Sequence, residues 1–257
     1  MSASTENKKY NKNFLSQVIY KVNFVAVDSI NAESAKELKK KLGENYTTVS
    51  DIKQRGLIIE GSGIEFTTRH DSNTIWRIDS EANDYAIELE KSSFAVTCSK
   101  YTDFDAFKVV IESANKAFFE MFPVIDKVER LGLRYINNIN LGNGSPEESL
   151  NWDELISEKL VSELSFIDDK KTIRRSMHSL AIAFDGETQI NFNFGVFNNL
   201  FPSEVINKEF ILDFDAFNTF TMQRDSVIAL LVKYNEVITE LFERSIKDGL
   251  REAMDGH

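Results

Sequence analysis

The hydrophobic periods of the chain follow the same order twice, and this recurrence limits the fold more than any other feature of the sequence. In each half a strand is followed by a helix, about three antiparallel strands and a long amphipathic helix. The long helices are predicted at 105–122 and 225–254, where apolar residues recur every three or four positions. Aligned without gaps, they match Phe107 with Val227, Ile111 with Leu231, Asn115 with Asn235, Glu120 with Glu240 and Phe122 with Phe242. This order indicates an ancient internal duplication.

Alternating apolar residues and turn signals predict the remaining elements. A helix at 34–42 has Gly43 as its C-cap, and a second helix is predicted at 152–167. Strands are predicted at 14–27, 56–61, 74–79, 85–90, 94–99, 128–141, 174–184, 188–197 and 210–220. The connections are short, which favours antiparallel pairing. We expect the strand at 87–90 to be the counterpart of 212–215 in the second half.

These elements predict an α+β fold made of two similar halves. We expect them to form a continuous twisted antiparallel sheet with helices on one face. A flexible tail is predicted at 1–13, the first half at 14–141, a connecting loop at 142–149 and the second half at 150–257. The architecture resembles the duplicated TBP-like and helix-grip folds, a resemblance that carries no function.

The charge balance argues against a nucleic-acid partner. The chain has 41 acidic and 30 basic residues, for a net charge of −11, which repels phosphate backbones and anionic membranes. A short basic segment at 170–175 is the exception. It follows Asp168 and Asp169, and we interpret it as a solvated loop.

Cysteine content and hydropathy predict a cytoplasmic protein without a membrane span. Cys98 is the only cysteine, so no intramolecular disulfide can form. The polar N-terminal residues are not followed by the apolar segment of a signal peptide, and no apolar run approaches bilayer length.

The segment 130–137, with the sequence Arg-Leu-Gly-Leu-Arg-Tyr-Ile-Asn, is the most distinctive in the chain. It resembles the R-x-G-L-R-Y-I-N strand of a sporadically distributed prokaryotic family of uncharacterised proteins. The segments at 13–18, 211–215 and 241–243 are similar to that family as well. The resemblance implies no activity, cofactor or catalytic residue. Scattered occurrence is typical of genes that travel with mobile or defence loci.

Within this strand, Arg130, Gly132 and Arg134 share one face because side chains alternate. Glycine between two arginines leaves room for a guanidinium to lie flat. Since an arginine fork suits bidentate pairing, one interpretation is a ligand-binding clamp for an anion or carboxylate. Asn191 and Asn193, which share a face of another predicted strand, would complete that site.

The other interpretation is a network of structural ion pairs, and we favour it. A buried arginine requires a partner, and carboxylates on other strands are available. The candidate members of this network are Arg130, Arg134, Asp213, Asp215, Glu88 and Glu90.

The sequence shows no catalytic, metal or cofactor motif. Each carboxylate pair supplies too few oxygens for Mg²⁺ or Ca²⁺, and one cysteine without paired histidines excludes the usual zinc spacings. A Cys98–histidine dyad lacks any sign of an activated thiol. We therefore expect a non-enzymatic protein-binding or accessory factor, of a mobile-element or defence locus, whose biochemical activity the sequence does not specify. The alternative is an anion-binding protein or enzyme that uses a polar, concave sheet face. The sequence does not determine the oligomeric state, and a homodimer is one of the alternatives.

Overall fold

The structure, a computed structural model, describes residues 10–62 and 65–255, with side chains described outside 54–73. Most of the predicted tail at 1–13 lies outside the described residues. Its last part, at 10–13, packs against the C-terminal end of the chain. The Tyr10 hydroxyl donates to Glu243 at 2.6 Å, and the Lys12 N–H donates to the carbonyl of Met254 at 2.9 Å.

The strands, in chain order, are β1 (Leu15–Asn23), β2 (Tyr46–Ser62), β3 (Glu65–Ser80), β4 (Tyr85–Glu90), β5 (Ser93–Cys98), β6 (Lys127–Val128), β7 (Arg130–Asn143), β8 (Ser176–Ala183), β9 (Gln189–Val196), β10 (Asn207–Phe217) and β11 (Met222–Gln223). The helices are α1 (Ala32–Leu42), α2 (Phe104–Met121), α3 (Pro146–Ser149), α4 (Val227–Ser245) and α5 (Asp248–Asp255). None of the helices in the described part of the chain is long and apolar enough to cross a bilayer.

Nine strands form one antiparallel, twisted sheet in the order β2-β3-β4-β5-β1-β7-β10-β9-β8. The centre of this sheet is the pairing of β1 with β7. Val18 lies opposite Tyr135 and Tyr20 lies opposite Leu133, so a two-fold axis between the strands relates Tyr20 to Tyr135 and Val18 to Leu133. Outward from β1 the strands follow in the order β5, β4, β3 and β2, and outward from β7 they follow in the order β10, β9 and β8. In each half, the first strand therefore pairs with the last strand of the same half. The predicted α+β class and the continuous antiparallel sheet are confirmed.

The helices lie on one face of the sheet, where the core is formed. Side chains that point to this face from the two central strands are buried, among them Val18, Val22 and Leu133. The buried positions of α2 and α4 differ by a constant offset in the sequence. The pairs are Phe107 and Val227, Ile111 and Leu231, Ala114 and Tyr234, Asn115 and Asn235, Ala117 and Val237, and Phe118 and Ile238. The gapless alignment thus matches the packing of both helices, while a duplication as its origin stays a prediction.

Each central strand is joined to its covering helix by the same kind of buried hydrogen bond. The Tyr20 hydroxyl donates to Oδ1 of Asn115 at 2.9 Å, and the Tyr135 hydroxyl donates to Oδ1 of Asn235 at 2.7 Å. Burying a hydroxyl and an amide is costly unless they are paired, so the two bonds fix the height of each helix over the sheet.

Two predicted helices differ from the structure for one shared reason. The region predicted as a helix at 152–167 contains only turns and short 3₁₀ segments, Glu158–Leu160 and Ser162–Ser165. The long helix predicted at 225–254 is broken into α4 and α5. Ile156 and Ile246 form an antiparallel bridge, and Ser157 donates its N–H to the carbonyl of Ser245 at 2.8 Å. These tertiary hydrogen bonds use backbone groups that two continuous helices would have needed.

The strand pattern also requires corrections. The first half has four strands in its outer sheet, which agrees with the four segments predicted at 56–61, 74–79, 85–90 and 94–99 but not with about three strands per half. The strand β2 begins at Tyr46, before the predicted start at 56, because that segment is too polar to show an apolar alternation. By its place beside β7, β10 is the counterpart of β5, so the predicted match of 87–90 with 212–215 is wrong. Since β7 is the counterpart of β1, the topological division falls between α2 and β7. The predicted loop at 142–149 instead holds the end of β7 and α3.

We expect Tyr20→Phe to lower the free energy of unfolding by about 1–2 kcal/mol, because it leaves the buried Asn115 oxygen without its donor. Tyr234→Phe is the matched control. The Tyr234 hydroxyl is buried without a hydrogen-bond partner among the described residues, so its removal is expected to be neutral or stabilising. Urea denaturation of both variants measures the difference, and equal losses in the two would contradict the assigned role of the Tyr20–Asn115 bond.

Candidate functional site

The predicted site residues lie on the face of the sheet opposite the helices, which we call the open face. Arg134 on β7 binds Asp213 on β10 in a bidentate pair, since its Nε and Nη2 donate to the two carboxylate oxygens at 2.7 Å each. Asp213 is only 5% exposed. Asn193 on β9 donates to the same carboxylate at 3.2 Å. The hydrogen bond to Asp213 is the main cause that raises the pKa of Arg134.

Arg130 makes a second pair one step along the same strands. Its Nη2 lies 3.1 Å from Asp215, and its guanidinium lies 4.4 Å from the centre of the Phe217 ring. A Cβ at Gly132 would lie 2.8 Å from Nη1 of Arg130, so glycine leaves the space that the guanidinium uses. Burial raises the pKa of Asp215, although Arg130 and Arg134 act in the opposite direction.

Glu88 and Glu90 do not join this cluster. Glu88 binds Arg77 on β3 at 2.8 Å, and Glu90 binds Lys21 on β1 at 3.1 Å. Their strand, β4, is separated from β7 by β5 and β1, which is too far for a direct contact. The predicted ion-pair set is therefore divided: Arg130 and Arg134 pair with the carboxylates of β10, whereas Glu88 and Glu90 pair with cations of β3 and β1.

The four predicted ligand-binding residues do lie close together. Arg130 and Arg134 on β7 flank one side of β10, and Asn191 and Asn193 on β9 flank the other. The carboxylates of β10 lie between them, with Asn191 opposite Asp215 in register. Two guanidinium groups thus face two carboxylates, and a free anion would have to displace a paired carboxylate to bind.

The reactive groups considered from the sequence show no activation. Cys98 is buried, and burial raises the pKa of its thiol, which disfavours a nucleophilic thiolate. His178 lies 3.1 Å from Glu163 and stacks on Phe194. Within the described ranges, no group of three or more histidine, cysteine or carboxylate side chains could hold a metal ion.

The structure also shows an exposed apolar surface that the sequence analysis missed. The connection between β9 and β10 exposes four apolar side chains, which we call the loop patch: Phe197, Leu200, Phe201 and Ile206. The guanidinium of Arg175 lies 5.4 Å from the centre of the Phe197 ring and 4.5 Å from that of Phe201. The sequence signal for this patch is the presence of four apolar residues at the end of one predicted strand and in the connection to the next. Alternation places Phe197 in the predicted strand at 188–197, and it does not predict whether the other three side chains are exposed.

No model of a protein family matches the chain, and no curated protein matches it. Membership of the family that the segment at 130–137 resembles therefore stays a prediction.

We expect Arg134→Ala to lower the free energy of unfolding by about 1–3 kcal/mol, because Asp213 stays buried with one neutral donor. This loss of stability is smaller than for a fully buried pair, because the Arg134 side chain is 43% exposed. In the variant, water can therefore replace some of the hydrogen bonds that Asp213 loses. A double-mutant cycle with Asp213→Asn should give a coupling energy of about 1–2 kcal/mol.

The exposed pair of Lys36 and Glu33, whose side chains lie 2.7 Å apart, is the control. Its coupling energy should be too small to measure, because both side chains are solvated. If the Arg134–Asp213 coupling were equally small, the pair would not be structural, and the anion clamp would become the better interpretation of Arg134.

Proposed function

We propose that the protein is a non-enzymatic binding factor that contacts a protein partner through the loop patch. The observation that carries this proposal is the grouping of exposed apolar side chains, with Phe201 53% and Leu200 47% exposed, in one short connection. Exposed apolar side chains that cluster mark interaction sites far more often than single ones do. Phenylalanine beside arginine is also a composition that is enriched at the centre of protein interfaces.

The loop that carries the patch is held by a buried side chain, which supports a preformed binding surface. Asn198 is 5% exposed, and its Nδ2 donates to the carbonyls of Arg174 at 3.0 Å and Ser203 at 2.8 Å. Its Oδ1 accepts from the N–H of Leu200 at 2.9 Å. A loop that is already ordered loses little conformational entropy on binding, so more of the contact energy contributes to affinity.

The polar open face gives less support to the alternative, a small-anion binder or enzyme. Its arginines are already paired with carboxylates of β10, and its donors converge on Asp213 rather than on an empty space.

The proposal also keeps the expectations of a cytoplasmic protein encoded at a mobile or defence locus, which rest on the sequence and on the family resemblance.

A photo-crosslinking side chain placed at Leu200 tests the proposal in cells that express the native partner. Val124 is the matched control, because it is an apolar side chain 71% exposed after α2, away from the loop patch. We expect one protein to be crosslinked from position 200, not from position 124. The product should be lost when Phe201→Ser is added, since the partner then loses its aromatic contact.

The fold of the Phe201→Ser variant is checked by its circular dichroism and melting temperature. The same products from positions 200 and 124, or a product from position 200 that survives Phe201→Ser, would contradict the loop patch as the binding surface.

A further inference from the structure

The sheet ends in β8, and no strand of the described residues pairs with the backbone groups on the outer side of this strand. The N–H of Phe184, directly after β8, donates to the carbonyl of Thr188 at 2.9 Å, so the backbone of Phe184 points towards β9. The register of β8 with β9 is regular from Ser176 to Ala183, and the direction alternates along an antiparallel strand. The residues whose N–H and carbonyl groups point outward are therefore Met177, Ser179, Ala181 and Ala183.

β8 lacks the features that usually protect an edge strand. Its sequence, Ser-Met-His-Ser-Leu-Ala-Ile-Ala, contains no lysine, arginine, carboxylate or proline. Met177 is 40% and Leu180 is 47% exposed. The opposite edge strand, β2, carries Asp51 and Lys53 among its exposed residues. Because charged residues on an edge discourage pairing with another chain, β8 is the edge that can accept a further strand.

We propose that β8 pairs antiparallel with β8 of a second copy of this chain, about a two-fold axis at Leu180, so that two sheets join into one. In this register Ser179 lies opposite Ala181 of the second copy, and Met177 lies opposite Ala183. All four residues have outward-pointing backbone groups, so both pairs are fully hydrogen-bonded. The two Leu180 side chains then form a non-hydrogen-bonded pair, in which facing side chains approach most closely.

Charge complementarity favours a second copy as the occupant. The same register places the backbone of Arg175, directly before β8, opposite that of Asp185 of the other copy, and the two-fold axis repeats this placement. To meet the carboxylate that Lys233 holds, the Arg175 guanidinium turns away from the Phe197 and Phe201 rings. Within the described part of the chain, Arg175 has no carboxylate partner, and its hydrogen bond goes to the carbonyl of Asn198 at 3.2 Å. Asp185 is held at the turn by Lys233 at 2.8 Å, and this ammonium group lowers the pKa of the carboxylate, which stays ionised.

The overall charge of the chain points to the same edge. Two copies with a net charge of −11 each repel one another, so their association costs least where carboxylates are absent. β8 itself carries none. An axis at Ser179 would place Arg175 opposite Ala183 and lose the charge contact, which favours the axis at Leu180.

Oxidative crosslinking of variants that each add one cysteine to the native chain tests both the pairing and its register. Leu180→Cys should form a disulfide-linked dimer, because two cysteines on the axis meet as a non-hydrogen-bonded pair. Ser179→Cys and Ala181→Cys are matched controls on the same strand. Their own copies lie diagonally across the axis, beyond the usual reach of a disulfide. Cys98 is buried and present in all three variants, so it contributes equally.

Analytical ultracentrifugation over a wide concentration range gives the second measurement. The wild-type chain should approach a dimer as its concentration rises, whereas Ala181→Pro should stay monomeric. The N–H of Ala181 points away from β9, so proline there removes an intermolecular donor and leaves the β8–β9 pairing intact. An unchanged melting temperature of the dilute variant confirms that it folds.

Three results would overturn the inference: a wild-type chain that is monomeric at every concentration, equal crosslinking at all three positions, or crosslinking mainly at 179 or 181. A monomer whose β8 binds a strand of a different protein would overturn it as well. The test does not depend on the loop patch, since a dimer linked at Leu180 can form whether or not Leu200 crosslinks to a partner.

Discussion

β1 and β7 pair at the centre of the sheet, and the arrangement of every other element depends on this contact. In this register Tyr20 and Tyr135 take equivalent positions, and outward from each central strand the strands follow in reverse chain order. Tyr20 and Tyr135 each bond an asparagine of the helix above. Because the helix face must be dry and each buried hydroxyl must be paired, strand register, helix position and core packing are fixed together.

The two halves differ away from this centre, and the difference leaves one edge of the sheet and a nearby loop exposed. In the first half, α1 packs beside α2, and the sheet continues to a fourth outer strand, β2. In the second half the region at 150–175 forms turns, because its backbone pairs with the break between α4 and α5 through Ile156 and Ile246. The second half therefore ends in β8, whose outer edge and neighbouring loop patch remain exposed.

The charges of the open face act mainly within the sheet. Asp213 is almost fully buried beneath the partly exposed guanidinium of Arg134, and its carboxylate accepts hydrogen bonds from that guanidinium and from Asn193. Such pairs neutralise one another locally, even though the chain is acidic overall. A partner would bind more easily at the rim of the second half, in the loop patch or along β8, because it would not have to break an existing ion pair there.

The sequence by itself determined the periodic elements: α2, α4 and their matching buried positions, the hairpin of β8 and β9, and the ion-pairing face of β7. Each of these follows from side-chain alternation or helical spacing, which are local properties of the chain. Only the tertiary structure decided which strands are neighbours, and so why Glu88 and Glu90 bind Arg77 and Lys21 instead of the arginines of β7. It also decided that Ile156 and Ile246 pair where local spacing predicts two helices, since long-range backbone hydrogen bonds leave no periodic signal in the sequence.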